Sequence, residues 1–501
     1  MALEKKLLIT LQKTVLSLSI LGPAMVFAET PSNALTSFKD KAAFFLGPQT
    51  DESFNKANLA KLSDFTPDLG RVAELPRVTA SSGQVATAPA LIPSMSFKDA
   101  IMRAVQRHPD ISQSIAELAS QNANIDVAKA AYYPQLSGGV STADLTKGER
   151  GRQLISLEAT QMLYDFGKVS SEVNVQQAQL AVEQAGVLVS IDDIAYQVAD
   201  AIVNIKRYQQ VSQIAQQQID GVGRIAEIAN LRAQAGISSQ ADPIQSQSTL
   251  EAARANLINQ QNQLLQYQQK LRTLLGVEIT HLDWQIPESL AADSDLYQEV
   301  ELTEIPRMMQ AYAEIEVAEH QRKQTQLSRY PTINLKGTLS QAVNGRNPNN
   351  DKDDGYYNSI MLEATSYFYQ GGAVGSRVRA ANYAEQAARA KLQTQYLNIL
   401  DEVRLLREEV ENKQKQMGVL MARHQSAIRT KELYQEQYKL GTRTVIDLLN
   451  AEQAIHSAAQ EIETARYDIY IALVKYIAQT GRTRASYDLN DVLIQGFEVQ
   501  S

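Results

Sequence analysis

Residues 157–169 read LEATQMLYDFGKV and residues 362–374 read LEATSYFYQGGAV. Seven of thirteen positions are identical, and Val169 and Val374 close the two phrases 205 residues apart. The same offset joins Gly236 to Gly441, Asp242 to Asp447 and Gly276 to Gly481, so 157–276 and 362–481 align without a gap. Upstream the offset is 197, joining Pro109 to Pro306 and Tyr133-Pro134 to Tyr330-Pro331. The difference falls between Pro331 and Leu362, where QAVNGRNPNNDKDDGYY is polar and rich in turn residues, as at an exposed loop tip. Its NNDKDDG stretch lacks the glycine and ligand spacing of a calcium loop. Self-similarity over this length means one structural unit written twice.

Each unit has the same order of signals. An amphipathic helical stretch (96–133, then about 302–330) runs up to a proline that forces the chain out of helix. Two short strand-like pieces come next. Ile155, Leu157 and Ala159 alternate with Ser156, Glu158 and Thr160, and Ile360, Leu362 and Ala364 alternate with Ser359, Glu363 and Thr365. Period two with one apolar face is the strand signature. After Gly167 and Gly372 the period changes. Ile191, Ile194, Val198, Ile202 and Ile205 make one apolar stripe, with Asp192, Asp193, Gln197, Asp200 and Asn204 between them. No proline interrupts residues 135–242, so a helix from 168 to 235 would run about 100 Å at 1.5 Å per residue. The copy from 373 to 440 has the same length. Helices at 96–133 and about 244–276 could stack end to end along the long one. The helices alone leave a soluble coiled coil open.

Composition narrows the function classes. There is no cysteine, which excludes disulfides, thiolate metal sites and an N-terminal lipidated cysteine. A net charge of −8 argues against nucleic acid. His108, His281, His320, His424 and His456 are scattered without metal-ligand spacing, and no serine elbow or phosphate loop occurs, so neither an enzyme nor a cofactor or metal site is expected. Lys5, Lys6 and Lys13 precede TVLSLSILGPAMVFA, which reads as a secretory signal ending at Ala28. No later apolar run is long enough for a membrane helix. An exported chain of this kind is soluble or a β-barrel.

Four strands are too few to enclose a lumen, and open sheet edges are not tolerated in lipid, so several chains would have to pool their strands. Tyr132, Tyr133, Tyr164, Phe166, Tyr330, Tyr367, Phe368 and Tyr369 all fall at helix–strand junctions, as in the aromatic belt of a membrane barrel. An ordinary apolar junction between sheet and bundle gives the same pattern.

SFKDAIMRAVQRHPDISQS, AKAAYYPQL, LYDFGKVSSEV and YKLGTRTVIDLLNAEQAIHSAAQEI, set in two repeats from about 96 to 481, resemble the TolC-like outer-membrane efflux and secretion proteins. The resemblance implies a mainly α fold with a β-barrel part. Three copies would form a twelve-stranded outer-membrane barrel and a periplasmic α-helical tunnel. Implied partners are a periplasmic adaptor, an inner-membrane ABC or other transporter and outer-membrane lipid. The implied function is an exit duct, inclined to type I protein secretion, with drug efflux the second reading and a soluble periplasmic adaptor the third. The expected division is a signal peptide at 1–28, a periplasmic extension and linker at 29–95, a first repeat at 96–276 with strands at about 135–166, an equatorial linker at 277–301, a second repeat at 302–481 with strands at about 332–370, and a tail at 482–501.

The resemblance also assigns residues. Gly167, Gly372, Pro134 and Pro331 would make the corners between barrel and helices, where glycine permits unusual backbone. The turns GISSQAD and GTRTVID would form the periplasmic entrance. Asp242, Tyr438 and Arg443 would link protomers there, Asp447 would form a ring of three carboxylates, and Asn450 stands where many relatives carry a second Asp. Asp242 and Asp447 also suit simple helix caps.

Overall fold

The computed structural model describes residues 95–499 except 144–151, 280–281, 344, 348 and 368. The expected signal peptide, the extension up to residue 94 and Phe368 lie outside the described residues. Among the described residues, no helix is long and apolar enough to cross a membrane.

The first repeat runs α1 (Phe97–Arg107), α2 (Pro109–Lys129), β1 (Gln135–Ala143), β2 (Arg152–Tyr164), α3 (Lys168–Gln234) and α4 (Ala241–Leu275). The expected helix over 96–133 is broken at His108, because Pro109 lacks the N–H that would continue α1. His108 instead caps α2, its Nδ1 accepting from Asp110 N. A linker with one short helix, α5 (Leu290–Asp293), leads to α6 (Pro306–Leu327), β3 (Thr332–Val343), β4 (Tyr356–Thr365), α7 (Ala373–Lys439) and α8 (Val445–Gln479). The chain closes with α9 (Thr483–Ser486) and the small hairpin β5 (Leu493–Ile494) and β6 (Phe497–Glu498). Duplication shows in the lengths: α3 and α7 have 67 residues each, α4 and α8 have 35 each.

Glycine and arginine make the shorter helices stack. Gly276 ends α4 in the left-handed region (φ 62°), and Arg107 of α1 fills the space a Cβ there would occupy. Arg103 Nε donates to the Leu275 carbonyl. Gly481 ends α8 in the same way (φ 71°) and packs against Glu304 and Pro306, the entry to α6.

α3 packs against α1, α2 and α4 and, on its other flank, against α6 and α8; α7 packs chiefly against α6 and α8. The expected single apolar stripe on α3 is therefore incomplete. Asp192 and Asn204, placed between the apolar positions, are buried, together with Ala195, Ala199, Ala201 and Val203. A helix covered on both flanks buries more than one stripe. α7, of equal length, buries only Ile399, Val403, Leu406, Val410, Leu420 and Tyr438. It leaves Tyr383, Leu397, Val419 and Leu433 exposed, and the α4 side leaves Ile244, Ile258 and Leu265 exposed. The main core lies midway, where Ile191 and Ile202 meet Ile101, Leu275, Trp284 and Ile477. Burying each such side chain contributes roughly 1.5–3 kcal/mol. Arg407 and Arg482 bind the linker to this level through the carbonyls of Leu296, Gln298, Ser294 and Asp295.

The four strands form one antiparallel sheet in the order β1-β2-β3-β4, with a bulge between Met162 and Tyr164. Register sorts the faces. Leu136, Val140, Ile155, Leu157, Leu335, Leu339, Ile360 and Leu362 share one face. Ser137, Glu158, Lys336, Thr338, Ser359 and Glu363 share the other, where Lys336 Nζ lies 2.7 Å from Glu158 Oε1. Among the described residues, β1 and β4 are unpaired along their outer edges.

Candidate functional site

The end of the bundle away from the sheet is built by two similar turns. Gly236 (φ 72°) and Gly441 (φ 77°) end α3 and α7 with the same pair of closing bonds: Gly236 N to Ala233 O and Ile237 N to Arg232 O, then Gly441 N to Tyr438 O and Thr442 N to Gln437 O. Left-handed backbone at these positions is why both are glycine. The turns differ in how the next helix begins. α8 begins with a capping box, in which Asp447 N donates to Thr444 Oγ1 and Thr444 N donates to Asp447 Oδ2. α4 begins after Gln240 with no side-chain cap. Val222, Ile225, Ala229, Leu250, Val445, Leu448, Leu449 and Tyr438 form a separate apolar cluster beneath the turns.

The residues named for the entrance fall into two groups. Tyr438 is buried, its ring lies under the guanidinium of Arg232 at 4.8 Å, and its hydroxyl has no hydrogen-bond partner among the described residues. Burial pushes the phenol above its ordinary pKa; Arg232 opposes that and Asp242 adds to it. Asp242 sits half-buried in the first turn of α4. In the second group, Arg443 lies over the ring of Tyr434 at 4.5 Å, donates from Nε to Gln437 Oε1 at 2.9 Å, and comes within 3.8 Å of Asp447 Oδ2. Among the described residues, no hydrogen bond or ion pair within the protomer joins Arg443 to Asp242. Asp447 caps its helix, and Asn450 is exposed one turn further on.

At the opposite end, Pro134 and Pro331 immediately precede β1 and β3, and Gly167 (φ 87°) and Gly372 (φ 82°) are the residues before α3 and α7. Phe166 and Gly371 are also left-handed, so each corner spans two residues. Tyr164 meets Phe166 edge-on at 4.7 Å, and Phe166 stacks on Tyr330 at 5.3 Å, so aromatics of both repeats touch. Tyr132, Tyr164, Phe166, Tyr330, Tyr367 and Tyr369 are exposed, and Tyr133 is half-buried.

Several residues of these sites carried no sequence signal. Asp165 is buried and caps α3, accepting from Gly167 N at 2.8 Å and Val169 N at 2.6 Å. Gln370 replaces it in the second copy, so the duplication itself could have marked the difference. Arg232 was invisible because its place over the Tyr438 ring depends on α3 and α7 meeting, and Tyr434 because its place under Arg443 depends on how the turn after α7 folds back.

The chain matches the family described as "Outer membrane efflux protein" over residues 100–277 and 297–482. It is 23% identical over 407 residues to the outer membrane protein TolC of Escherichia coli, covering 75% of this chain and 81% of that one. It is 21% identical over 245 residues to the alkaline protease secretion protein AprF of Pseudomonas aeruginosa, covering 47% and 50%. Its fold is that of the outer membrane protein VceC of Vibrio cholerae, with a TM-score of 0.66 at 16% identity over 77% of this chain and 96% of that chain. The chain therefore belongs to the outer membrane efflux protein family, the TolC-like channels that lie in the outer membrane with their helical part in the periplasm.

Proposed function

We propose that three copies of this protein enclose a duct, a twelve-stranded barrel in the outer membrane continued by a helical tunnel. Through it pass substrates delivered by an inner-membrane ABC or other transporter and a periplasmic adaptor. The observation that carries this reading is the pair of open edges. Among the described residues β1 and β4 are unpaired, the apolar face of the sheet is uncovered, and α7 and the α4 side leave large apolar side chains exposed. Unpaired strand edges in lipid cost several kcal/mol per orphan polar group, which pairing β4 of one copy with β1 of the next removes. The two faces of the sheet then divide the work, leucine and isoleucine toward lipid and Glu158, Lys336 and Glu363 toward water.

Extraction and reconstitution test the duct. The protein should require detergent to leave outer membranes, migrate as a trimer and form pores in planar bilayers; a water-soluble monomer would end this reading. The cargo we propose is a polypeptide sent by a type I system, a reading supported by the similarity to a protein named for protease secretion. Small-molecule efflux is the second reading, favoured by the description of the family. Deleting the gene separates them: a secreted protein missing from the medium supports the first, drug sensitivity with secretion intact supports the second.

A further inference from the structure

Glu452, about two turns into α8, is 1% exposed. Three neighbours explain how a carboxylate comes to be there. Lys431 of α7 brings its Nζ to 2.5 Å from Oε2. His456, one turn along α8, donates from Nε2 to Oε1 at 3.2 Å. Gly221 of α3 faces the carboxylate so closely that a Cβ would overlap Oε1. Glycine inside a helix costs about 1 kcal/mol against alanine. The missing Cβ makes the notch the carboxylate occupies. Burial would raise the pKa of Glu452, but the bond from His456 and the Lys431 ammonium outweigh it and hold the carboxyl below its usual value.

The internal duplication supplies a comparison within the same molecule. At the 205-residue offset, Lys431 corresponds to Ala226, Glu452 to Gln247, His456 to Glu251, and Gly221 to Ser426. Gln247 is exposed and, among the described residues, its side chain bonds along its own helix, to Glu251. The buried ionic group thus exists in one repeat alone, and that repeat's hairpin, α7–α8, carries Arg443 and Asp447 at its turn.

We propose that Glu452, aimed by Lys431 and His456 of its own hairpin into the notch at Gly221 of α3, is a second latch that seats the α7–α8 hairpin against α3, about 12 Å along α8 from the turn. The choice of chemistry suits a contact that has to open. A buried carboxylate gains little net stability over apolar packing, because it was stripped of water to enter the notch; it keeps its bonds to the partly exposed Lys431 and to His456, and regains hydration, when α3 withdraws. Such a contact sets the position of the hairpin firmly yet releases at low cost. Apolar packing at the same place would resist separation throughout. The latch lies above the tip cluster and shares none of its residues with the Arg232–Tyr438 or Arg443–Asp447 groups.

The inference rests on the duct reading, and planar-bilayer recordings of full-length trimers keep the two apart. Glu452→Gln, Lys431→Met and Gly221→Ala should each raise resting conductance about fivefold, the effect of roughly 1 kcal/mol on a closed–open equilibrium. Glu452→Gln combined with Gly221→Ala should add nothing beyond either alone. Gln247→Ala, the counterpart in the first repeat, should stay at the wild-type level. If Gly221→Ala fails to assemble, Glu452→Gln carries the test, since it keeps shape and removes only charge. Wild-type conductance in Glu452→Gln and Lys431→Met, alongside leak in Arg443→Ser, would overturn the latch and leave the duct standing. Absence of pores in every trimer, wild type included, would overturn both.

Discussion

The guanidinium of Arg232, at the end of α3, lies 4.8 Å above the ring of Tyr438, at the end of α7, while the Tyr438 hydroxyl is buried without a hydrogen-bond partner among the described residues. The ring is thus fully engaged inside the protomer and its polar end is not. An unsatisfied buried hydroxyl costs about 1–3 kcal/mol, which a hydrogen bond to Asp242 or to a neighbouring copy would recover.

The clamp that the resemblance implies at the entrance, which we propose holds the duct shut, is tested by removing one polar group at a time. Arg443→Ser, Asp242→Ala and Tyr438→Phe should each make reconstituted trimers leak, because exposed ion pairs hold only about 0–1 kcal/mol each and a threefold set is easily unbalanced. Tyr438→Phe should leave the tip cluster folded, as it keeps the ring under Arg232. Conductance equal to wild type in all three variants would remove these residues from the gate.

Asp447 has two separable roles. It completes the capping box with Thr444, and it lies close to Arg443 at the turn. Asp447→Asn keeps a capping oxygen and deletes the charge. Asp447→Ala deletes both and should cost about 1 kcal/mol at the start of α8. Hydrogen exchange of the Thr444 amide, which donates to the Asp447 carboxylate, should accelerate only in the alanine variant. Block of conductance by multivalent cations should weaken equally in both, if three such carboxylates form a ring.

Asp165 should matter more than its counterpart Gln370. Its buried carboxylate accepts two backbone N–H bonds at the start of α3, and hydrogen bonds to a charged group contribute about 1.5–3 kcal/mol. Asp165→Ala should lower the melting temperature of the detergent-solubilised protein and expose the β2–α3 corner to protease. Gln370→Ala should do neither.

Asp192 predicts an unusual pH slope. Burial pushes its carboxyl up to about 7, against the attraction of Arg484; Asp193 adds to the rise, and Thr483 and Arg307 oppose it. The unfolded chain releases this proton near pH 4 while the folded protein keeps it until about pH 7. This group's contribution to stability therefore falls as pH rises between those values and is level above them, by a few kcal/mol in all. Relative to wild type, Asp192→Asn should gain stability as pH is raised from about 4 to 8. A difference in urea midpoint that stays constant over that range would contradict the buried, proton-holding state.

Much of the architecture was legible because it is punctuated locally. Pro109 and Pro306 start helices, Gly236, Gly276, Gly441 and Gly481 end them, and two-residue alternation marks the strands, so helix lengths and the twofold duplication stand in the text of the chain. The His108 break was equally available in the His-Pro pair, but the amphipathic period continues across it and masks it. The proposed gate is a harder case. Asp242, Tyr438, Arg443 and Asp447 could be named only by resemblance; the i,i+4 spacing brings Arg443 near Asp447, whereas the placing of Tyr438 with Arg232 and Asp242 depends on distant helices meeting.

By itself the sequence determined the elements, their order and their repetition, which follow from backbone sterics and from periods of two and 3.6 residues, while the family was reached through the resemblance of particular motifs. Tertiary structure decided which polar groups are buried. Asp192 and Asn204 lie inside α3 because helices on both flanks cover them, and Glu452 is buried because Gly221, 231 positions earlier, leaves it room. Desolvation is a property of the neighbours a residue meets, and those neighbours are fixed only when distant helices pack.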